Sequence, residues 1–149
     1  TFNTGPILPP EAFRDHIFPW YTRMARTCHD NGLLMFMHSD GDLTSLMEDI
    51  IGAGIDVLHP VDPGCMDIVA IKRQYAGRIA LVGNVSNEML RSASPAEIVE
   101  EVKRLLRQVA PGGGYCLGSG NSVPDWASFE NYMAMRDTAL RFGTYPIRT

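Results

Sequence analysis

A His-x-Asp pair, His38 and Asp40, directly follows an apolar run and is the sharpest indication of chemistry in the sequence. At the end of an extended strand, residues i and i+2 point the same way, so both side chains could reach one metal ion. Two ligands do not make a metal site, and Asn121, Cys116 or His59 could supply a third. The structural alternative is that Asp40 begins a simple turn and His38 is hydrogen-bonded in the core. A metal site with His38 and Asp40 as ligands, and a simple turn beside a packed histidine, are therefore both open interpretations of this pair.

Other polar residues stand in comparable places, each just after an apolar run. His59 could be a general acid or base, or a packed and hydrogen-bonded histidine. The candidates for substrate binding are polar side chains that follow these runs: Asp42, Asn84, Ser86 and Ser119. Asp42 and Asp67 have a competing role, because each precedes an apolar helical pattern and can cap that helix.

Four short apolar runs predict the strands that must position these side chains. They cover 33–37, 55–58, 79–82 and 115–117. Each run is apolar throughout and bounded by glycine or polar residues. This pattern is typical of strands buried on both faces of a parallel sheet.

Helical patterns fill the intervals between the runs. The predicted helices cover 10–29, with a kink or a new start at Pro19, then 43–53, 68–75, 94–109 and 126–142. The fourth helix has Ser94 at its N-cap, Pro95 in the first turn and Glu97 at the third position, followed by an apolar stripe. The order is one helix and then four strand–helix units, which predicts right-handed βαβ connections around a parallel sheet.

The spacing of these units suits one half of a (β/α)₈ barrel, since a whole barrel normally needs about 250 residues. We predict a single partial α/β domain over residues 1–149, built of four βα units with parallel strands. An open flavodoxin-like sheet is the alternative. In both folds ligands bind at the carboxyl ends of the strands, so the four strand-end loops are expected to form one pocket.

Composition limits the classes of function. The chain has 149 residues, 45% hydrophobic and 20% charged, with a net charge of −4. This balance is ordinary for a globular domain and gives no reason to expect nucleic acid or a membrane surface as a partner. The longest apolar run is far shorter than the roughly 20 residues of a membrane span. Three cysteines without a CxxC pair fit a reducing, cytoplasmic location.

At these same residues the sequence resembles the uroporphyrinogen decarboxylase superfamily, which also contains cobamide-dependent methyltransferases. The stretches that carry the resemblance are GLLMFMHSDGD (32–42), GIDVLHPV (54–61), RIALVGNV (78–85), SPAEIV (94–99), 112–124, ENYMAM (130–135) and FGTYP (142–146). The resemblance extends along nearly the whole chain, with these stretches as its clearest parts. The resemblance implies a (β/α)₈ barrel of which this chain is the C-terminal half, with the N-terminal half missing.

The resemblance also implies roles for particular residues. Methyltransferases of this group hold zinc with a His-x-Cys pair and a later Cys; here Asp40 replaces the first Cys, and Asn121 falls near the place of the later one. Decarboxylases carry a His in the last-strand loop, and Asn121 again stands near it. The resemblance therefore implies zinc as a cofactor at His38 and Asp40 and makes Asn121 a candidate catalytic residue. His59 is the other catalytic candidate, because of its position at a strand end.

The charge of the strand-end loops favours one of the two branches of the superfamily. The strand-end loops carry four aspartates and no Lys or Arg: Asp40, Asp42, Asp62 and Asp67. Such a rim repels a polycarboxylate tetrapyrrole unless the missing half supplies several cations, and it tolerates a cation or a metal. We therefore favour metal-dependent methyl transfer linked to a corrinoid, with a small molecule or a corrinoid protein as partner.

Two alternatives remain open. The first is decarboxylation of a porphyrinogen in tetrapyrrole biosynthesis, in which His59 would transfer a proton and no cofactor would be needed. The second is an inactive fragment, or a half-barrel that pairs with another chain as a homo-oligomer or with its missing N-terminal half, because unpaired strand edges favour association.

Overall fold

The computed structural model describes residues 1–147, in which helices alternate with short strands. The helices are α1 (Pro10–His16), α2 (Phe18–Asp30), α3 (Met47–Gly52), α4 (Ile68–Tyr75), α5 (Asn87–Ser92), α6 (Pro95–Gln108) and α7 (Phe129–Phe142), with a 3₁₀ turn at Thr44–Leu46. The strands are β1 (Phe36–His38), β2 (Val57–His59), β3 (Ala80–Val85) and β4 (Tyr115–Ser119). Within these residues no helix combines the length and the apolar character that crossing a bilayer demands.

The four strands form one parallel sheet in the order β1-β2-β3-β4. This confirms the predicted α/β class and its four βα units. His38 is directly opposite His59 in the register of β1 with β2, and Ser119 is opposite Val85 where β3 pairs with β4. Because parallel strands all point one way, their carboxyl ends lie along a single edge of the sheet.

The core lies between one face of the sheet and the helices. Leu58, Leu81 and Val85 point into it from the strands and are at most 1% exposed. The stripe predicted for α6 faces them and is buried at every position: Ile98, Val102, Leu105, Leu106 and Val109. The helix begins as predicted, because Ser94 and Glu97 form a capping box that satisfies free N–H groups of the first turn.

The opposite face of the sheet is open, so the prediction of strands buried on both faces is wrong. Phe36 in β1 is 52% exposed, and His38 and Cys116 are exposed as well. The side chains alternate along β2, where Leu58 is buried and its neighbours Val57 and His59 are half-buried. The reason is that the described helices cover only one face.

Some element bounds also differ from the prediction. Strand β1 begins at Phe36 rather than at residue 33, and the first pair of its ladder with β2 is Phe36 with Val57. Leu33 and Leu34 precede the ladder and are 61% and 71% exposed. The first helical region breaks at Ile17, ahead of Pro19, which then lies in the first turn of α2.

Asn131 joins α7 to the end of α5. Its side chain is 2% exposed, and its amide nitrogen donates hydrogen bonds to the carbonyl oxygens of Leu90 at 3.2 Å and Ala93 at 2.7 Å. Both carbonyls lie at the end of a helix, where they lack partners within that helix. The buried amide therefore supplies a donor to the Ala93 carbonyl and a second donor to the Leu90 carbonyl, which also accepts from the Ser128 N–H at 2.9 Å.

Removing this amide should destabilise the fold. For Asn131→Ala we expect the free energy of unfolding to fall by about 2 kcal/mol, since the Ala93 carbonyl loses its donor while the Leu90 carbonyl keeps the Ser128 N–H, and Tm to fall by roughly 4–8 °C. Urea denaturation and thermal melting followed by circular dichroism measure both quantities. The matched control is Arg136→Ala on the same helix, because Arg136 is exposed and, within residues 1–147, its one ion pair is with its neighbour Asp137. A similar loss in both variants would contradict the role of Asn131.

Candidate functional site

Two histidine rings meet at the carboxyl ends of β1 and β2. Nδ1 of His38 lies 2.7 Å from Nδ1 of His59, a hydrogen-bonding distance, and the ring centroids are 4.8 Å apart. The contact follows from the ladder, because directly paired residues of adjacent parallel strands project from the same face of the sheet. His38 is exposed and His59 is partly buried.

His59 is engaged on both sides of its ring. While Nδ1 contacts His38, Nε2 lies 3.2 Å from the main-chain carbonyl oxygen of Ser119 at the end of β4. Burial is the largest influence on the pKa of His59 and lowers it. The Ser119 carbonyl and Asp40 act in the opposite direction, whereas His38 adds to the lowering. The net effect is a pKa below the ordinary value of about 6.5.

Asp40 approaches His38 from the other side. Its Oδ1 lies 3.6 Å from Nε2 of His38 and accepts a hydrogen bond of 2.9 Å from the side-chain amide nitrogen of Asn121. The side-chain oxygen of Asn121 accepts from the Ser122 main-chain N–H at 2.7 Å, which leaves the nitrogen to face Asp40. Asn121 therefore orients the carboxylate.

These contacts form a closed ring of residues. The Ser119 hydroxyl donates a hydrogen bond of 2.6 Å to the main-chain carbonyl oxygen of Asn121, and this bond links the His59 side of the ring to the Asp40 side. We call the five members the strand-end ring: His38, Asp40, His59, Ser119 and Asn121. The predicted convergence of the strand ends is thus present for loops that follow β1, β2 and β4.

The remaining predicted substrate-binding residues make contacts outside the ring. Asp42 accepts a hydrogen bond from the Thr44 N–H at 2.8 Å, and Ser86 caps α5 through the Glu88 N–H at 3.1 Å. Asn84 is 4% exposed and donates to the Val61 carbonyl oxygen at 2.9 Å. Their role in substrate binding remains a prediction.

The structure also reveals supporting contacts that were not predicted from the sequence. Asp62 accepts from the main-chain N–H groups of Gly41 at 3.2 Å and Gly64 at 2.9 Å, and so holds the Asp40 loop against the loop after β2. The N–H of Asp42 donates to the carbonyl oxygen of Phe2 at 2.9 Å. The Asp-Pro-Gly sequence at Asp62 is typical of a turn and could have indicated the contacts of Asp62 with main-chain N–H groups. Nothing in the local sequence indicates the contact between Phe2 and Asp42.

The ring residues fit a metal ion only in part. Two ligand atoms on one tetrahedral zinc lie roughly 3.3 Å apart, given bonds of about 2.0–2.1 Å, and the 3.6 Å between His38 Nε2 and Asp40 Oδ1 is close to that span. A third ligand does not follow from the ring, because Asn121 turns an N–H toward Asp40 and both nitrogens of His59 are engaged. Within residues 1–147 no group of three or more His, Cys, Asp or Glu side chains could hold a metal. The pair fits one ion as two of its ligands.

Comparison with known proteins gives one family and one fold. The family model described as uroporphyrinogen decarboxylase (URO-D) matches residues 3–142. A methyltransferase from Methanosarcina mazei superposes with a TM-score of 0.71 at 21% sequence identity, over 92% of this chain and 39% of that protein. No curated protein matches the sequence. The chain thus has the fold of part of a larger barrel enzyme and spans well under half the length of that relative.

The pKa of His59 is open to direct measurement. We expect it to titrate below about 6.5, because burial disfavours the charged ring. The pKa of His59 is lower in the folded state than in the unfolded state. The neutral imidazole of His59 therefore contributes stability above about pH 6.5, and this contribution is lost as the pH falls through the folded-state pKa. The ring-proton chemical shifts of His59, followed by NMR against pH in folded and urea-unfolded protein, give both values. A folded-state midpoint equal to or above the unfolded one would contradict this expectation.

Proposed function

The chain belongs to the uroporphyrinogen decarboxylase family, and from that premise we propose that it is part of a methyl-transferring enzyme in which His38 and Asp40 hold a metal ion. The proposed cofactors are zinc and a corrinoid that carries the methyl group. The partner would be a small methyl acceptor or a corrinoid protein. This chain would supply one half of the barrel and one side of the site.

The observation that carries the proposal is the approach of two electron-pair donors to one point. Nε2 of His38 and Oδ1 of Asp40 lie 3.6 Å apart. The described residues give that nitrogen no other partner, while the Asn121 amide holds the carboxylate in place. Two such donors side by side suit a positive ion, since each is a common ligand of zinc.

The charge of the surrounding loops supports a cation over a polyanion. Asp62 lies next to the ring, bonded to the loop that carries Asp40, and the four strand-end loops contain no Lys or Arg. A substrate with many carboxylates would meet only repulsion from these loops. This is the main reason for preferring methyl transfer to porphyrinogen decarboxylation.

The contacts of His59 argue in the same direction. A decarboxylase mechanism based on this residue requires a ring nitrogen that can pass a proton to substrate. Here one nitrogen contacts His38 and the other contacts the Ser119 carbonyl. His59 therefore supports other groups of the ring more readily than it delivers a proton.

Four residues of the chain would then have separate roles at the metal. When bound, the metal would supply Lewis-acid activation of the methyl acceptor. His38 and Asp40 would bind it, Asn121 would keep the Asp40 carboxylate turned toward His38, and Asp62 would hold the loop in place. The absence of a thiolate from this pair distinguishes the chain from the His-x-Cys pattern and leaves the site with a nitrogen and an oxygen ligand.

Metal content tests the proposal. We expect protein incubated with zinc chloride and then dialysed to retain about one zinc ion per chain, and His38→Ala and Asp40→Ala to retain none, because each removes one of two ligands. Plasma mass spectrometry measures the content, and light scattering on the same samples gives the molar mass.

The matched control is His16→Ala. His16 is an exposed histidine at the end of α1, so its removal should leave zinc binding unchanged while altering the histidine count equally. If folded wild-type protein retains no zinc, the metal-dependent mechanism is wrong. A decarboxylase-like or inactive chain would then be the better hypothesis.

A further inference from the structure

His38 can serve the proposed site only in one of its two neutral forms. A neutral imidazole carries a proton on one nitrogen and a lone pair on the other. If the proton sat on Nε2, that N–H would point at Asp40 and occupy the place of a cation. If it sits on Nδ1, the lone pair of Nε2 faces Asp40. What selects between the two forms therefore decides whether the site can bind an ion.

The main-chain carbonyl of Ser119, which belongs to neither imidazole, determines which nitrogen of each neutral imidazole carries the proton. The Ser119 carbonyl oxygen can only accept a hydrogen bond, so Nε2 of His59 must be the donor in the contact between them. In the neutral ring, Nδ1 of His59 is then a lone pair. At 2.7 Å from it, Nδ1 of His38 must carry a proton. When His38 is neutral, its Nε2 is then a lone pair.

We propose that His59 is a positioning residue that fixes the proton of His38 on Nδ1, with the Ser119 carbonyl as its anchor. This extends the proposed function, on which its purpose rests, by assigning His59 a task at the same site. Ligand histidines commonly depend on such an outer partner for their proton position and ring orientation. The unusual feature here is that the partner is a second histidine, itself oriented by the backbone of β4.

Two substitutions of His59 each remove one of its two contacts and keep the other. In His59→Asn the side-chain amide reaches about as far as Nδ1, so an oxygen can still accept from His38 while the Ser119 contact is lost. In His59→Gln the amide reaches about as far as Nε2, so the Ser119 contact can be kept while His38 loses its acceptor. The two variants differ by one methylene, and each puts a side-chain amide in place of the imidazole of His59.

The experiment is long-range ¹H–¹⁵N NMR of the histidine rings in metal-free protein, which identifies the protonated nitrogen of each ring. We expect His38 to carry its proton on Nδ1 in the wild type and in His59→Asn, and on Nε2 in His59→Gln. Zinc affinity, measured by titration with the metal alone, should fall roughly 10–100-fold in His59→Gln and much less in His59→Asn. Backbone amide spectra of all three proteins report whether the fold is retained.

Two results would overturn the inference: a proton on Nε2 of His38 in the folded wild type, or a proton position that does not change in a folded His59→Gln protein. Its failure is separable from that of the metal proposal. If the proton positions are as expected and zinc does not bind, the positioning role stands and the metal function fails. If zinc binds wild type and His59→Gln equally, the metal function stands and the positioning role fails.

Discussion

The site depends on the register in which β1 pairs with β2. Because the pairing is parallel and places His38 opposite His59, both rings leave the same face of the sheet at the same height. A shift of one residue would turn one of the two side chains to the helix-covered face. The buried position of Leu58 between its half-buried neighbours opposes such a shift, since it would exchange a core leucine for a histidine. Packing on one face of the sheet thus fixes the chemistry on the other.

The same asymmetry explains the rest of the molecule. Helices cover one face of the sheet, and their apolar stripes, most clearly that of α6, account for the core. The other face carries the ring at its carboxyl end and exposed apolar groups such as Phe36. In a closed barrel that face is the packed interior. Since the chain covers 39% of the Methanosarcina mazei methyltransferase, the uncovered face is where the remaining strands of such a barrel would lie.

Local signals in the sequence predicted the elements that local interactions determine. Helix α4 has the predicted bounds, because Asp67 caps it through the Val69 N–H and its large apolar residues are buried. The gathering of His38, Asp40, His59 and Asn121 followed from the rule for parallel strand ends. The start of β1 could not be predicted, since an apolar run looks the same whether or not a partner strand accompanies it. The direction of the Asn121 amide depends on two contacts, one of them 81 residues away along the chain, and no local pattern encodes it.

The hydrogen bond between Asp40 and Asn121 has a geometric consequence for the sheet. These residues follow β1 and β4, the first and last of four strands, which in a flat sheet would lie roughly 14 Å apart, three spacings of about 4.8 Å. A 2.9 Å contact between them requires the two loops to lean toward each other. Side-chain contacts therefore join the two outer strands at their carboxyl ends, and flattening the sheet would break these contacts.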